Sequence, residues 1–558
     1  MTKDSYYIGV DVGTKSARAG IVDQTGTMIA SATLDIPLWH PRHEWAEQSS
    51  DAIWNACCSL VRDAVAQSKI QPETVRGIGF CATSSLVTTD SNDQPVTISS
   101  TGDDSHNVIV WMDHRAADEA EHINATRHKA LNYCGGTISP EMAPPKLLWI
   151  KNHLPQTWNR AAHFFELPDF LTHRATGNDT RSLCTLVCKW LYQGHEQSGV
   201  PETVGRWDDS FLRTIGLDEL VDEDYSRIGR TARPIGEPIA NGLTEKAAAE
   251  FGLPPGTPVG TAMVDGHAGA IALIGMPLNE LAPDSDDFER RLAMIAGTSS
   301  ALFTLSRDPR HIPGIWGPYY SALLPDMWLT EGGESATGAL IDHLLLSHTK
   351  GAELLQEATH AGKDVYELLN ERLEWLAVNV EHPALLTRNL HVLPYFHGNR
   401  TPRADPTLRG MISGLSISGT IDDLALLYLA ALQSIAYGTR HIISEMNSHG
   451  FAIDTIIASG GLTKNPLFLR EHADITQCPI VLPKEEEAML LGAAILAATA
   501  SGNFPALPDA MTAMTSEGKT LHPASGNIAH YHASKYRVFQ RMYNDQTDYR
   551  DLMEPRTS

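Results

Sequence analysis

Several stretches of this chain place residue types that handle phosphate at the ends of apolar runs. Gly13-Thr14-Lys15-Ser16 interrupts one such run after Tyr6–Val12, and the run resumes over Ala17–Val22. Small consecutive residues between two strands expose backbone N–H groups in a concave turn, which attracts anions. Asp11 precedes the loop on its strand, where a carboxylate can hold Mg2+ through water. Alone, the loop is as readily a plain hairpin turn. Two more glycine-marked breaks follow apolar strands, at Gly297-Thr298-Ser299-Ser300 and at Ser459-Gly460-Gly461. Three such loops match what the phosphates and adenosine of a nucleotide require. Asp265 is the first acid after the apolar stretch that ends at Val264, and Gly266 follows it at the head of a helix-like segment. By itself it reads as a capping carboxylate. Beside phosphate loops it reads as a general base that takes a proton from a hydroxyl attacking phosphorus.

Rigid elements must hold these residues. Tyr6–Val12, Ala17–Val22 and Met28–Leu34 are apolar runs separated by tight turns, which predicts an antiparallel meander. Asp51–Gln67 has helical spacing, with Ser49, Ser50 or Asp51 as its cap, and Val75–Phe80 reads as a strand. The opening theme then recurs as Leu292–Ala296, the Gly297 break and Ala301–Leu305. The two Gly-Thr-x-Ser breaks lie about half the chain apart, so an internal duplication is expected. A helix around Ile421–Met446, a strand over Thr455–Ala458 and an apolar helix over Ala488–Ala500 follow; Tyr536, Phe539 and Tyr543 mark a last one. This mixed, duplicated order predicts two α/β domains facing a ligand cleft.

Composition narrows the function classes. The chain has 558 residues and a net charge of −24, which disfavours nucleic acid and other polyanions as partners. Hydrophobic residues make up 42%, so ordered multidomain structure is expected rather than disorder. Neither a signal peptide nor a bilayer-spanning run is visible, and a cytoplasmic location without membrane contact is the expectation. The seven cysteines are odd in number and lack zinc-site spacing, so they read as buried free thiols. Gly77-Ile78-Gly79-Phe80-Cys81-Ala82 fits the dinucleotide fingerprint, but the β-branched Thr83–Thr89 does not open the helix that NAD requires. Nor is there a P-loop, since Gly13-Thr14-Lys15-Ser16 lacks glycine before the lysine.

Taken together, Asp11-Val12-Gly13-Thr14, Trp111-Met112-Asp113-His114-Arg115-Ala116, Pro145-Lys146-Leu147-Leu148-Trp149, the strand ending at Asp265, the Gly297 loop and Ser459-Gly460-Gly461-Leu462-Thr463-Lys464-Asn465 resemble the FGGY carbohydrate kinases. The matches run in order over nearly the whole chain. The resemblance implies an α/β protein of two ribonuclease-H-like, actin/hexokinase-type ATPase domains facing a central cleft. Residues 1–262 would carry the sugar pocket and first phosphate loop. Residues 263–558 would bind nucleotide and supply the base at their start, with the last helix packing back on the first domain.

Phe80–Val87, Cys184–Trp190 and Glu331–Gly338 are similar to the ribulokinase branch, while the xylulokinase Gln-Met-His signature is absent after Gly79. The implied activity is transfer from ATP·Mg2+ to a ketopentose, D-ribulose giving D-ribulose 5-phosphate. L-ribulose or another polyol is the near rival, and an actin-fold ATPase or sugar sensor is the distant one. Carried over residue by residue, Asp265 matches the catalytic base and a substrate contact. Ser84, Asp113, Arg115, Lys189 and Glu331 match the sugar side, and Asp11 the metal-linked acid. Gly13, Thr14, Lys15, Ser16 and Arg18 match the first phosphate loop; Gly297, Thr298, Gly338, Gly460, Gly461 and Asn465 match nucleotide contacts. Cys81 stands where relatives carry Asp. Sugar and ATP are the expected partners, and a homodimer is compatible with the sequence.

Overall fold

Apolar and β-branched residues punctuated by tight turns fold into three strands at the start of the chain: β1 (Tyr6–Val12), β2 (Ser16–Asp23) and β3 (Met28–Asp35). β1 pairs antiparallel with β2, and β2 with β3, which is the expected meander. The computed structural model describes residues 5–200 and 202–553. They form two units. The first holds the described residues through Phe288, Leu305–Thr330 and Lys484–Glu517; the second holds Glu289–Thr304, Glu331–Pro483 and the described residues from Gly518.

In the first unit, helix α1 (Ser50–Ser68) starts where the Ser49 hydroxyl accepts from the Ala52 N–H, and stops at Lys69 in the left-handed region. Strand β4 (Val75–Ala82) runs parallel to β1, and β5 (Met263–Val264) runs parallel to β4. The order is therefore β5-β4-β1-β2-β3. Side chains alternate across a strand, so β1 and β4 each present two different faces. Ile8, Val10, Val12, Ile78 and Phe80 share one core with Ile53, Trp54 and Leu60 of α1. Gly9, Gly77 and Gly79 lie against the helix Ala488–Ala500, where a Cβ would come within 2.1 Å, 2.5 Å and 2.0 Å of the carbonyl oxygens of Leu490, Ala497 and Ala493. The apparent dinucleotide fingerprint is thus a packing stripe that lets a helix rich in alanine approach the sheet. Asp11 and Cys81 are cross-strand partners on that same face.

Two further helices of this unit bear on chemistry, α2 (Leu183–Lys189) and α3 (Asp265–Ile274). α3 continues directly from β5, and β5 is held by β4. For this reason the units do not part at 262/263: the Asp265 helix packs with the first unit. All seven cysteines are buried free thiols, as expected.

The second unit repeats the plan. β6 (Arg291–Ala296) pairs antiparallel with β7 (Ser300–Ser306) and parallel with β8 (Thr455–Ser459), and β8 runs parallel to β9 (Ile480–Pro483). The order β7-β6-β8-β9 reproduces β2-β1-β4-β5 of the first unit. Helices α4 (Gly338–Ser347), α5 (Ile421–Ser448) and α6 (Pro466–Thr476) belong here. α5 opens with a reciprocal cap, the Thr420 hydroxyl accepting from the Asp423 N–H and the Asp423 carboxylate accepting from the Thr420 N–H. The last helix, Asn527–Met553, also belongs to this unit. Its Tyr536, Phe539 and Met542 share a core with Leu393, Tyr395, Leu408 and Tyr437. No helix among the described residues is long and apolar enough to cross a membrane.

Candidate active site

Asp265 follows the end of β5 as the first residue of α3 and is half-buried. It does not cap the helix through its side chain. Its Oδ1 instead accepts from the adjacent Gly266 N–H at 2.7 Å. Burial raises its pKa to about 6, with Asp11 adding repulsion; the Gly266 hydrogen bond, His267 and Lys189 oppose the rise. A carboxylate that takes up a proton close to neutral pH suits general-base work.

Asp11 is buried, 1% exposed, at the end of β1. Arg18, its cross-strand partner on β2, donates from Nε to Oδ2 at 3.0 Å. The Arg18 Nη1 also donates to Glu487 Oε2 at 2.8 Å, a partner 469 residues away that no local pattern reveals. From the neighbouring strand the Cys81 thiol donates to Asp11 Oδ1 at 3.5 Å and to the Met489 carbonyl at 3.7 Å. Burial holds that thiol well above its ordinary pKa, with Asp11 and Asp265 adding to the effect. Cys81 therefore stays neutral between two acids, where an aspartate would add a third charge.

The Gly13 loop closes by a Gly13 N–H donation to the Ser16 carbonyl at 2.9 Å. Thr14 is anchored by Trp111, whose Nε1 donates to its hydroxyl at 3.0 Å, and by Gln48, which donates to its carbonyl at 2.9 Å. Lys15 is exposed. A Cβ on Gly13 would meet only the Ser16 carbonyl, at 3.4 Å, so the turn itself has room for a side chain.

The first-unit residues expected on the sugar side separate into two groups. Ser84 is buried, and its hydroxyl donates to Glu166 Oε2 at 2.9 Å. Lys189 closes α2, with its Nζ 5.3 Å from the ring centre of Trp316. Lys189 bears electrostatically on both Asp265 and Glu166, which places the three in one neighbourhood. Asp113 and Arg115, by contrast, have no side-chain exposure. Arg115 donates to Asp113 from Nε at 2.9 Å and from Nη2 at 2.8 Å, to Glu47 at 3.0 Å and to the Ile98 carbonyl at 3.0 Å. Its guanidinium also lies 4.2 Å from the Trp45 ring centre. Asp113 accepts in addition from the Ala46 N–H at 2.6 Å. This closed network fixes the 111–116 segment and leaves neither side chain facing a ligand. Glu166 and Glu47 carry no signal in the sequence, because their partners lie far along the chain; Trp190 and Lys146 stand out there only as parts of motifs, and Lys146 is a buried ammonium donating to the Val110 carbonyl at 3.1 Å.

In the second unit the Gly297 turn sits on the start of α4. The Gly338 and Ala339 N–H groups donate to the Gly297 and Thr298 carbonyls at 3.0 Å and 3.1 Å. A Cβ on Gly338 would fall 2.9 Å from the Gly297 oxygen, so this approach requires glycine. Gly460, at φ +106, would bring a Cβ within 2.4 Å of the Ala296 oxygen; a Cβ on Gly461 would meet nothing within 4 Å. Asn465 caps α6, its Oδ1 accepting from the Leu467 N–H at 3.1 Å, and its Nδ2 donates to the Tyr428 hydroxyl at 2.6 Å. Its side chain is thus engaged in holding the turn that presents Gly461. Glu331 lies buried on the strand Trp328–Glu334.

Among the described residues no group of three or more His, Cys, Asp or Glu could cage a metal by itself. The donor set still fits Mg2+ arriving with a nucleotide, since Mg2+ is commonly held by one or two carboxylates, water and substrate phosphates. The mutual repulsion of Asp11 and Asp265 is what such a cation would relieve.

Residues 6–272 match the model of the N-terminal domain of the FGGY family of carbohydrate kinases, and residues 292–501 match that of its C-terminal domain. The chain belongs to the FGGY family. This FGGY kinase is 46% identical to an FGGY carbohydrate kinase domain-containing protein of Xenopus laevis, over 99% of this chain and 98% of the frog protein. It is 40% identical to a D-ribulokinase of Saccharomyces cerevisiae, over 89% of this chain and 72% of the yeast protein. A xylulose kinase from Rhodospirillum rubrum shares its fold with a TM-score of 0.76 at 23% identity, covering 98% of this chain and 99% of that one. The fold is accordingly the two-domain actin/hexokinase type, and the protein is an ATP-dependent carbohydrate kinase.

Proposed function

We propose that this kinase phosphorylates a ketopentose, with D-ribulose as substrate and D-ribulose 5-phosphate as product. The observation that carries the reading is the Asp265 carboxylate, set at a strand end beside Lys189 with its pKa raised to about 6, in a chain 40% identical to a D-ribulokinase. The sugar hydroxyl oxygen forms a bond to the γ-phosphorus while the bond from that phosphorus to the β–γ bridging oxygen breaks. The hydroxyl proton passes to Asp265 and ADP leaves. Positioning and charge stabilisation supply most of the acceleration in such transfers.

Asp11 would hold Mg2+ through water, and the ion supplies charge neutralisation on the phosphates when bound. Arg18 keeps Asp11 oriented at the end of β1. The Gly13–Ser16 loop and Arg18 are assigned to the phosphates. Gly297, Thr298, Gly338 and the Gly460–Gly461 turn are assigned to the rest of the nucleotide. Ser84, Lys189 and Glu331 are assigned to the sugar. Asp113 and Arg115 act from behind, by fixing the segment that contains Trp111. The test is coupled-enzyme turnover of ATP across D-ribulose, L-ribulose, the xyluloses and the matching alditols. The reading expects the highest kcat/KM with D-ribulose, and a higher value with any other member of the panel would replace it.

A further inference from the structure

The candidate sugar contact Ser84 is backed by a buried carboxylate that no phosphate-transfer step uses. Glu166 is 2% exposed and ends the strand His163–Glu166, whose pairing with the strand Leu86–Thr89 sets Glu166 opposite Leu86, two residues from Ser84. Both carboxylate oxygens are engaged. Oε2 accepts from the Ser84 hydroxyl at 2.9 Å, and Oε1 accepts from the Trp190 indole N–H at 3.0 Å.

An ionised carboxylate is an acceptor only, and an indole N–H is a donor only. With Glu166 ionised, the proton on the Ser84 oxygen is committed to it, and what that oxygen has left for a ligand is its lone pairs. A hydroxyl that already donates inward can bind a sugar hydroxyl that donates to it. It rejects a keto oxygen, an ether or a carboxylate at the same point, because two acceptors would then face each other.

We propose that Glu166 is a positioning residue that fixes Ser84 as a hydrogen-bond acceptor and thereby requires a donating hydroxyl of the sugar at that point of the pocket. The inference rests on the kinase reading above, in which Ser84 touches the sugar. It implies that Ser84 reads one of the hydroxyls of the ketopentose and not its carbonyl, so that contact alone does not separate the ketose from its alditol.

Glu166→Gln is nearly isosteric and reverses the polarity. The amide oxygen keeps the Trp190 hydrogen bond, and the amide N–H now donates to Ser84, whose own proton turns outward. Burial raises the Glu166 pKa to about 7, opposed first by Lys146, so assays are run at pH 8 and repeated at pH 9, where the carboxylate predominates.

The experiment compares D-ribulose with its 1-, 3- and 4-deoxyfluoro analogues, since bound fluorine accepts weakly and cannot donate. In the wild type one analogue should lose at least about tenfold in kcat/KM against D-ribulose, the scale of one lost hydrogen bond in a polar site. In Glu166→Gln the penalty for that analogue alone should shrink by about tenfold, with the KM for ATP unchanged. Ser84→Ala should remove the same penalty, and the double variant should add nothing to Ser84→Ala. Three penalties that move together, or none that moves, overturn the assignment. Neutron diffraction of the deuterium-exchanged wild-type protein at pH 8 needs neither variant nor substrate. A deuteron on the Ser84–Glu166 axis with no sugar turnover would leave the polarity standing and remove the kinase reading of the pocket. A deuteron pointing away from Glu166 would overturn the polarity itself.

Discussion

Replacing Asp265 with Asn should abolish most turnover and at the same time stabilise the protein. The folded carboxyl is raised to about 6 against an ordinary value near 3.8, because its half-buried position strips it of water and Asp11 repels its charge. That gap corresponds to about 3 kcal/mol, at about 1.4 kcal/mol for each tenfold change in proton affinity. The sign follows from which state holds the proton. Between about pH 4 and 6 the folded protein retains a proton that the unfolded chain has lost, so folding stability falls as pH rises through that window. Above it the full penalty is present. Asn carries no such charge, so Asp265→Asn should gain up to about 3 kcal/mol over the wild type at pH 7 to 8, and the difference should vanish near pH 4. Turnover should fall by at least about 10²-fold, since the sugar proton loses its acceptor. For the wild type, kcat/KM should rise with pH through about 6 and then level. Urea unfolding of both proteins across pH 4 to 8, with steady-state kinetics on the same preparations, reads every quantity. An Asn variant that is less stable at pH 8, or that keeps turnover within tenfold, would refute the argument.

Three other substitutions separate ligand contacts from packing. Gly13→Ala should leave stability unchanged or up to about 1 kcal/mol higher, because the turn has room, while the KM for ATP rises at least about fivefold and that for sugar holds. Arg115→Ala should cost about 3–5 kcal/mol by stranding the buried Asp113 and Glu47 carboxylates, with the sugar KM of the folded fraction unchanged. Gly79→Ala should destabilise by about 1–3 kcal/mol, since its Cβ would sit 2.0 Å from the Ala493 oxygen, and calorimetric melting of the purified variant checks it.

Much of the frame was legible because its signals are local. The meander over Tyr6–Asp35 follows from apolar runs and turns, and the recurrence around Gly297 announces the second unit with the same strand order. Asp265 is visible as an acid at the end of a short strand. What the sequence hides is contact at a distance. Glu487 reaches Arg18 across 469 residues, and Glu166 reaches Ser84 across 82. Gly77 and Gly79 of β4 fit the dinucleotide pattern, which the β-branched residues after them already argued against; the space they leave is filled by the helix Ala488–Ala500. Asp113 and Arg115 sit in a family-like motif, yet their mutual hydrogen bonds and burial make them scaffolding. The division at 262/263 misplaced α3 for the same reason, since strand pairing and not chain order decides where it packs.

On the proposed function, Asp265 and its neighbours transfer a phosphoryl group to D-ribulose. Phosphorus and carbon NMR of a reaction containing ATP, Mg2+ and uniformly carbon-13-labelled D-ribulose tests it most directly. A phosphate ester on C5 should form in step with ADP, with negligible inorganic phosphate, and should be lost in Asp265→Asn. Inorganic phosphate released at the same rate with and without sugar, or an ester formed undiminished by Asp265→Asn, would contradict it.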